Sequence, residues 1–403
     1  MIFSEFRPAA ALWAVMAAMV ILPGCLPTTK VSTDSTPAVQ TAATVDKFAV
    51  GPVPAGIDQF WHKTAARLSG RGFSASNLEA VFKSPNFQYT SAPMATKLKE
   101  LHGIFFRSEL TKEIQQMLYQ LNYDILIDGR AGSGTQNTIK RFQADNGLSQ
   151  TGEISPKTKT QLAKVMKGKA LRPLSAYKPP AAAKPSRQTT YPQFTSASAL
   201  DKIEAHYRGD LETFRRMSKR YNVPGEVVAA IMWVETGYGT FMGKNKAASQ
   251  LASMSAAAMD FSVVESAVAE LAADPEAKIF LKEKAVERGE WALDELTALL
   301  QYAFDNGHDP TAFPGSIYGA IGWGQFMPSN VLTLAVDGNG DGRVDIFDKT
   351  DAIFSIGNYF KSHGWHGNNM SEDERRAVVL KYNKSGVYAN TVLYVADHLA
   401  RQR

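Results

Sequence analysis

Cysteine is almost absent from the sequence: Cys25 is the only one among 403 residues. No disulfide can therefore form within the chain. Clusters of lysine and arginine are also missing, and the net charge of +5 is small for this length, so we predict no nucleic-acid partner. Residues 9–22 are apolar, but this run is shorter than the roughly 20 residues that a membrane-spanning helix needs. Alternating β patterns are scarce, which predicts a mainly α fold.

Residues 1–25 have the features of an export signal. Arg7 precedes the apolar run, which ends in Leu22-Pro-Gly-Cys25. This end resembles the lipobox of bacterial lipoproteins, and the resemblance implies that Cys25 becomes the first residue and carries lipid. Leu26, and not Asp, follows this cysteine, which in Gram-negative lipoproteins implies a periplasmic protein anchored to the outer membrane. The alternative is a plain signal peptide with an incidental cysteine.

The rest of the chain divides into segments of different composition. Residues 26–55 are rich in Thr, Ser, Ala and Pro, which predicts a disordered tether. Residues 56–107 predict a short helical N-terminal region without recognisable chemistry, and residues 168–198 a Pro/Ala-rich linker. Residues 199–403 form the predicted catalytic domain. Its helical patterns cover 200–222, 224–236, 262–288, 291–306, 350–363 and 371–403.

Residues 108–167 predict a small three-helix unit. Ser108 is a potential cap of the first helix, and Ser155-Pro156 is a good start for the third. The motif residues are Asp128-Gly129, Gly132, Thr135, Arg141-Phe142-Gln143, Gly147-Leu148 and Gly152. They resemble the peptidoglycan-binding domain of many cell-wall hydrolases, which implies affinity for glycan strands. The alternative is a helical spacer that has lost this affinity.

Glu235 lies on the apolar stripe of a predicted helix that begins near Pro224 and ends before Gly237. Burial and the negative C-terminal end of a helix both disfavour an ionised carboxylate, so we predict a raised pKa. A carboxylic acid that stays protonated near neutral pH is suited to act as a general acid. The alternative is a Glu at a frayed helix end that points to water.

Two loops in the predicted catalytic domain carry further signals. The stretch Gly315 to Ser329 mixes four glycines within ten residues with aromatic side chains, which suits close approach to a sugar ligand or a purely structural turn. The stretch Asp337 to Asp348 has oxygen side chains at positions 1, 3, 5 and 9 and Gly at position 6, as in the EF-hand loop. It predicts a structural Ca²⁺ site, although Asp348 replaces the usual Glu at position 12. A metal-free cluster of Asx turns is the alternative.

Several motifs together resemble the membrane-bound lytic murein transglycosylase B family. They are Val234-Glu-Thr-Gly-Tyr-Gly239, the Gly315 and Asp337 loops, Asn358-Tyr-Phe360, His363-Gly-Trp365 and Lys381-Tyr-Asn383. The resemblance implies a lysozyme-like fold and an enzyme that cuts the MurNAc–GlcNAc β-1,4 bond of peptidoglycan without water. The acid, Glu235, would protonate the glycosidic oxygen and then accept the proton of the C6 hydroxyl, which leaves a 1,6-anhydroMurNAc end.

The resemblance also implies further site residues. Substrate-binding roles fall on Ser316, Gln325, Tyr359, Tyr382, Asn383 and Tyr388. Calcium ligands fall on Asp337, Asn339, Asp341, the carbonyl of Arg343, and Asp351, since the family places its last carboxylate three residues later than an ordinary EF-hand.

Other functions stay open at the level of sequence. A lysozyme-type muramidase would need a second carboxylate for its water, such as Asp260 or Asp305. A non-catalytic, peptidoglycan-binding lipoprotein scaffold is a further alternative. We expect a monomer whose partners are glycan strands and, through its lipid, the outer membrane.

Overall fold

The computed structural model of the chain describes residues 48–179 and 190–402. The predicted signal peptide with Cys25, most of the predicted tether and the middle of the predicted linker lie outside the described residues. The described chain divides into two units. Unit 1 comprises residues 48–93, 190–260 and 288–402, and unit 2 comprises residues 94–179 and 261–287.

The predicted mainly α fold is confirmed. The helices are, in chain order, α1 (His62–Gly70), α2 (Ala75–Phe82), α3 (Ala92–Phe105), α4 (Glu109–Gln120), α5 (Ser133–Asp145), α6 (Pro156–Met166), α7 (Pro192–Thr195), α8 (Ala197–Gly209), α9 (Leu211–Tyr221), α10 (Gly225–Thr236), α11 (Ala247–Met259), α12 (Ser262–Glu265), α13 (Ala269–Ala272), α14 (Pro275–Asp305), α15 (Pro328–Leu334), α16 (Lys349–Ser362), α17 (Glu372–Tyr382) and α18 (Gly386–Ala400). Within residues 48–179 and 190–402, the only strands are β1 (Asn245–Lys246) and β2 (Pro314–Gly315), which pair antiparallel. Isolated bridges also join Ile321 to Gly315 and to Phe326.

The three predicted helices of residues 108–167 are confirmed as α4, α5 and α6 in unit 2. The Ser108 hydroxyl accepts a hydrogen bond from the Thr111 N–H, and the Ser155 hydroxyl caps α6 in the same way. Apolar side chains of the three helices share one buried cluster, in which Leu118, Phe142 and Leu162 are fully buried. This small core holds the two Gly-containing loops between the helices.

Each of those loops is organised by a buried glutamine. The amide oxygen of Gln115 accepts from the N–H groups of Asp128 and Gly129, and its Nε2 donates to Thr135 Oγ1 at 3.0 Å. One helix later, Gln143 accepts from the Gly152 N–H and donates to Thr158 Oγ1, also at 3.0 Å. The two loops repeat one design, because the glutamine amide satisfies backbone groups that would otherwise be buried unpaired. Several residues of the peptidoglycan-binding motif therefore act in the architecture of the loops.

The start of the predicted linker differs from an extended chain. The phenol of Tyr177 accepts a hydrogen bond of 2.8 Å from the Ile127 N–H, and the guanidinium of Arg172 lies 4.5 Å from the centre of the Tyr119 ring. These contacts add residues 172–177 to the three-helix cluster.

In unit 1 the N-terminal segment packs against distant parts of the chain. Arg67 on α1 makes two hydrogen bonds, of 2.9 and 2.7 Å, to the carboxylate of Glu290 on α14. Arg71 donates to Thr297 Oγ1 at 2.7 Å and pairs with Asp294 at 2.8 Å. Bidentate, partly buried arginine pairs are the strong kind of ion pair. They join residues 48–93 to the second half of the chain within one unit.

The centre of unit 1 is α10, the helix that carries Glu235. It is buried around almost its whole circumference, from Gly225 to Val234 and again at Thr236. Its extensive packing against α18, and its contacts with α8, α9 and α16, explain this burial. The apolar stripe in the sequence therefore belongs to a helix that neighbours cover on every side.

The helix predictions were wrong at three places. The pattern at 262–288 contains the short helices α12 and α13 and only the start of α14, and α14 continues through the predicted break at 289–290. Glycine is needed inside this helix, because a Cβ at position 289 would collide with Ala258 of α11. The patterns at 200–222 and 371–403 each contain two helices, separated near Asp210 and near Ser385.

Within the described residues, no single helix has the length and apolarity to cross a membrane. The neighbouring segments Ala247–Met259 and Ser262–Ala272 reach that threshold together, by length and composition alone.

Candidate active site

Glu235 lies in the last turn of α10. The helix ends at Gly237, whose φ of 57° places it in the left-handed region, and the next N–H, of Tyr238, bonds back to the carbonyl of Met232 at 3.0 Å. Glycine adopts this conformation without strain, so the predicted end of the helix is confirmed. The carboxylate of Glu235 is thereby held at the negative end of a helix dipole.

Among the described residues, one side chain makes a hydrogen bond to this carboxylate. The phenol of Tyr388 donates a hydrogen bond of 2.6 Å to Glu235 Oε1. Tyr388 is only 2% exposed and lies in the first turn of α18, where its N–H is capped by the hydroxyl of Ser385. The buried phenol has a fixed position, so it also fixes the direction of the carboxylate.

The electrostatics of Glu235 match the prediction of a raised pKa. Burial of the carboxyl raises its pKa from 4.5 to about 7, and the hydrogen bond from Tyr388 opposes this shift. Burial and the nearby Glu235 both raise the pKa of Tyr388 well above its usual value, so Tyr388 stays a neutral donor. Glu235 can therefore carry a proton at neutral pH and can also give it up, as general acid–base chemistry requires.

A group of aromatic side chains lies beside this pair. The rings of Tyr359 and Tyr382 meet edge to face with centroids 4.7 Å apart, and Phe326 lies 5.7 Å from Tyr359 and 5.8 Å from Tyr382. The phenol of Tyr382 donates to the carbonyl of Gly324, and that of Tyr359 donates to the carbonyl of Lys381 at 2.9 Å. The charge of Glu235 contributes to the raised pKa of Tyr382, which places Tyr382 near the acid.

The Gly-rich loop is tied to the end of α10 through Thr236. Its hydroxyl lies 3.1 Å from the carbonyl of Trp323 and accepts from the N–H of Gly239 at 3.0 Å. Gly239, with φ of 81°, lies against the Trp323 ring so closely that a Cβ there would collide with it. Sequence reasoning missed Thr236, and only its position next to Glu235 could have drawn attention to it.

The side chains of the other predicted substrate-binding residues, Ser316, Gln325 and Asn383, make hydrogen bonds to the backbone. The hydroxyl of Ser316 accepts from the N–H groups of Tyr318 and Ala320, at 3.2 and 3.0 Å. The side-chain amide of Gln325, whose φ is 49°, donates to the carbonyls of Gly322 and Met242. Asn383 ends α17, and its Oδ1 accepts from the Ser385 N–H at 3.1 Å. These bonds fix the loop and the start of α18.

The predicted calcium loop is closed by Asp351. This carboxylate is fully buried and accepts from the N–H groups of Gly338, Asn339 and Asp345 at 2.8 to 3.2 Å. The side chain of Asp348 instead caps α16, where it accepts hydrogen bonds from the N–H groups of Thr350 and Asp351.

The start of the loop is folded by its own oxygen side chains. Asp337 accepts from Gly342 N–H at 2.8 Å, and Asn339 Oδ1 from Asp341 N–H at 2.9 Å. Hydrogen bonds from backbone N–H groups lower the pKa of Asp337, which keeps this carboxyl ionised. Among the described residues no group of three or more His, Cys, Asp and Glu side chains converges on a metal position. The calcium site therefore stays a prediction.

Within the described chain, no second carboxylate contributes to the shifted pKa of Glu235. The two causes of its shifted pKa are burial and the Tyr388 phenol. Asp305, a candidate for a second acid, is exposed and accepts from Gln301 on its own helix at 2.7 Å. The geometry thus places Glu235, an acid of raised pKa, beside aromatic rings and the Gly-rich loop.

Comparison with known families agrees with this geometry. Residues 136–375 match the family described as the transglycosylase SLT domain, and residues 107–162 match the family described as a peptidoglycan binding domain. The predicted order, with the binding domain before the catalytic one, is confirmed. The two matched ranges overlap at 136–162.

The individual proteins that the chain resembles are named as lytic transglycosylases. Membrane-bound lytic murein transglycosylase B of Escherichia coli (strain K12) is 35% identical over 154 residues, which are 38% of this chain and 35% of the relative. The chain thus matches about a third of that relative's length. Among solved structures, soluble lytic transglycosylase SltB1 from Pseudomonas aeruginosa aligns with a TM-score of 0.44 and 23% identity, covering 67% of this chain and 99% of that one. The Escherichia coli lytic transglycosylase Slt35 in complex with calcium gives a TM-score of 0.44 and 19% identity, covering 67% and 93%. Because the SLT match spans more than half of its 403 residues, the chain belongs to the transglycosylase SLT domain family.

Proposed function

We propose that the protein is a peptidoglycan lytic transglycosylase that cleaves the MurNAc–GlcNAc β-1,4 bond and leaves 1,6-anhydroMurNAc ends. The observation that carries this proposal is the carboxyl of Glu235, whose pKa is raised to about 7 and whose Oε1 accepts a hydrogen bond from Tyr388. Membership in the SLT family and the partial identity to a lytic murein transglycosylase support the same reaction.

The reaction uses Glu235 twice. Protonated Glu235 gives its proton to the glycosidic oxygen, the bond from C1 of MurNAc to that oxygen breaks, and positive charge develops on the sugar. The carboxylate then takes the proton of the C6 hydroxyl of the same MurNAc, and the C6 oxygen forms the new bond to C1. Because this nucleophile belongs to the substrate, its effective molarity replaces an activated water and a second carboxylate.

Other residues bind and orient the glycan in this proposal. The aromatic faces of Tyr359 and Tyr382 suit the apolar faces of sugar rings. Tyr388 holds the carboxylate of Glu235, while Ser316, Gln325 and Asn383 fix the loops around the substrate. Peptidoglycan strands are the macromolecular partner, and residues 108–167 hold the enzyme on the wall.

A structural Ca²⁺ ion belongs to the same proposal. Asp337, Asn339, Asp341, the Arg343 carbonyl and Asp351 are hard oxygen donors within one loop, which suits Ca²⁺. The loop precedes α16, which carries Tyr359. The ion would therefore stabilise the position of this helix and take no part in the reaction.

The location follows from the N-terminal resemblance. We infer that Cys25 carries lipid and that the protein is a monomer anchored to the outer membrane on its periplasmic side.

Removal of the acid tests the proposal. Glu235→Gln should abolish the clearing of purified sacculi, while the variant should still bind sacculi and sediment with them on centrifugation. The matched control is Glu372→Gln, an exposed residue of the first turn of α17, which should clear at the wild-type rate. Unchanged clearing by Glu235→Gln would refute the assignment of this acid.

A further inference from the structure

Unit 2 contains a cavity of about 230 Å³ outside the proposed active site. Four parts of the unit line it: the C-terminal end of α3, the start of α4, the Gly129–Gly132 loop, and the segment from α13 to the start of α14. The side chains that define its chemistry are those of His102, Phe106, Arg130, Glu270, Leu271 and Asp274.

One wall of the cavity is apolar. The rings of His102 and Phe106 stack with centroids 4.5 Å apart, and Phe280 lies 5.5 Å from Phe106. Burial lowers the pKa of His102, and the charge of Asp274 opposes this shift. His102 is therefore mainly neutral at neutral pH and provides a flat face for an aliphatic chain, together with Leu271.

The remaining wall carries charges of both signs. Arg130 is held in place because its Nη2 donates to the Gly103 carbonyl at 2.6 Å and its backbone N–H donates to Asp128 at 2.9 Å. Asp274 is fixed by the N–H of Ala277, which donates to its Oδ1 at 3.0 Å. Glu270 is exposed at the edge of the cavity.

Such a cavity suits a ligand that has a short aliphatic chain ending in an ammonium and a carboxylate on the same carbon. Arg130 pairs with a carboxylate, and Asp274 and Glu270 pair with an ammonium. Peptidoglycan offers this group where the diamino acid of a stem peptide is not cross-linked. Cross-linking acylates the amine, which removes its positive charge.

We propose that this cavity binds the free zwitterionic end of a diamino acid residue of a stem peptide. The inference rests on the proposed function, which supplies peptidoglycan as the substrate. Unit 2 would then recognise peptides as well as glycan, and it would direct the enzyme toward wall that carries few cross-links.

Calorimetric titration of the full chain with short peptides tests the proposal. The probe is the tripeptide L-Ala-γ-D-Glu-meso-diaminopimelate, and the comparison is the same tripeptide acetylated on its free amine. Acetylation removes the ammonium charge that pairs with Asp274 and Glu270. The acetylated peptide should therefore bind about 10-fold more weakly, since charge-assisted hydrogen bonds are among the stronger polar contacts. Neither peptide contains a glycosidic bond, so the outcome does not depend on whether the protein is a transglycosylase.

Three variants locate the binding. Asp274→Asn keeps an oxygen for the cap of α14, and Glu270→Gln changes an exposed side chain, so both should fold; each should bind the free tripeptide about 5-fold more weakly. Arg130→Gln should do the same. Glu276→Gln, in the first turn of α14 and outside the cavity wall, is the control and should bind normally. Equal binding of the two peptides, no binding of the free peptide, or unchanged binding by Asp274→Asn and Glu270→Gln would overturn the proposal.

Discussion

The phenol of Tyr388 donates a hydrogen bond of 2.6 Å to the carboxylate of Glu235, across 153 residues of sequence. It joins the C-terminal end of α10 to the N-terminal end of α18. Burial favours the protonated carboxyl, and this bond favours the ionised one. The balance leaves the pKa of Glu235 at about 7, where both steps of the proposed reaction are accessible.

Removal of this phenol should shift the pH dependence of the enzyme. Tyr388→Phe removes a bond that lowers the pKa of Glu235, so the pKa should rise by about one unit above its present value. A general acid must be protonated, so kcat/KM falls at pH above its pKa. The alkaline limb should therefore move upward by about one pH unit, while the rate at the optimum falls about 10-fold. The measurement is the initial rate of sacculus solubilisation from pH 5 to 9.

Tyr394→Phe provides the control for that profile, because Tyr394 lies on the same helix and is 45% exposed. Its alkaline limb should coincide with that of the wild type. An alkaline limb of Tyr388→Phe that moves downward, or not at all, would contradict the stated role of the bond.

Calcium should affect stability more than the reaction. Addition of Ca²⁺ in large excess over its dissociation constant should raise the melting temperature by about 5 °C or more relative to EDTA. Asp351→Asn should abolish this increase. Asp348→Asn should retain it, because asparagine caps a helix as well as aspartate does. The readout is the calcium-dependent difference in melting temperature of each variant.

The initial rate separates a structural ion from a catalytic one. At a temperature where the protein stays folded, EDTA should leave most of the initial rate intact. Immediate and complete loss of activity without unfolding would show that the metal takes part in the reaction.

The contact between Gly239 and Trp323 should not tolerate a larger residue. Gly239→Ala adds a Cβ that collides with the indole and also strains a φ of +81°, so the free energy of unfolding should fall by about 3 kcal/mol or more. Gly307→Ala has a similar φ of +71° but open space around its Cβ, and should cost about 1 kcal/mol. Denaturant titration gives both values. Equal losses would show that strain alone, and not the indole contact, requires glycine at 239.

Local chemistry in the sequence predicts the features that depend on neighbouring residues. Ser108 and Ser155 start helices because their hydroxyls accept N–H groups three residues on. Gly237 ends α10 because it adopts a positive φ. The raised pKa of Glu235 could also be predicted, because its place on an apolar helical face predicts the burial that raises the pKa.

Features that depend on distant residues could not be predicted in this way. Helix α11, Ala247–Met259, is rich in Ala and Ser and is buried on every side, so it shows no hydrophobic period. Gly289 resembles a helix breaker until its contact with Ala258 is known. The place of residues 48–93 within unit 1 depends on pairs such as Arg67–Glu290, which are separated by 223 residues.

Mass analysis of the products released from purified sacculi tests the central claim most directly. If Glu235 acts alone and the C6 hydroxyl of the substrate is the nucleophile, the muropeptides should carry 1,6-anhydroMurNAc ends and be lighter by one water than hydrolysed ones. Digestion in ¹⁸O-labelled water should leave no label at C1 of MurNAc, because no water takes part. Products with reducing MurNAc ends that contain ¹⁸O would contradict the account and identify the protein as a hydrolase.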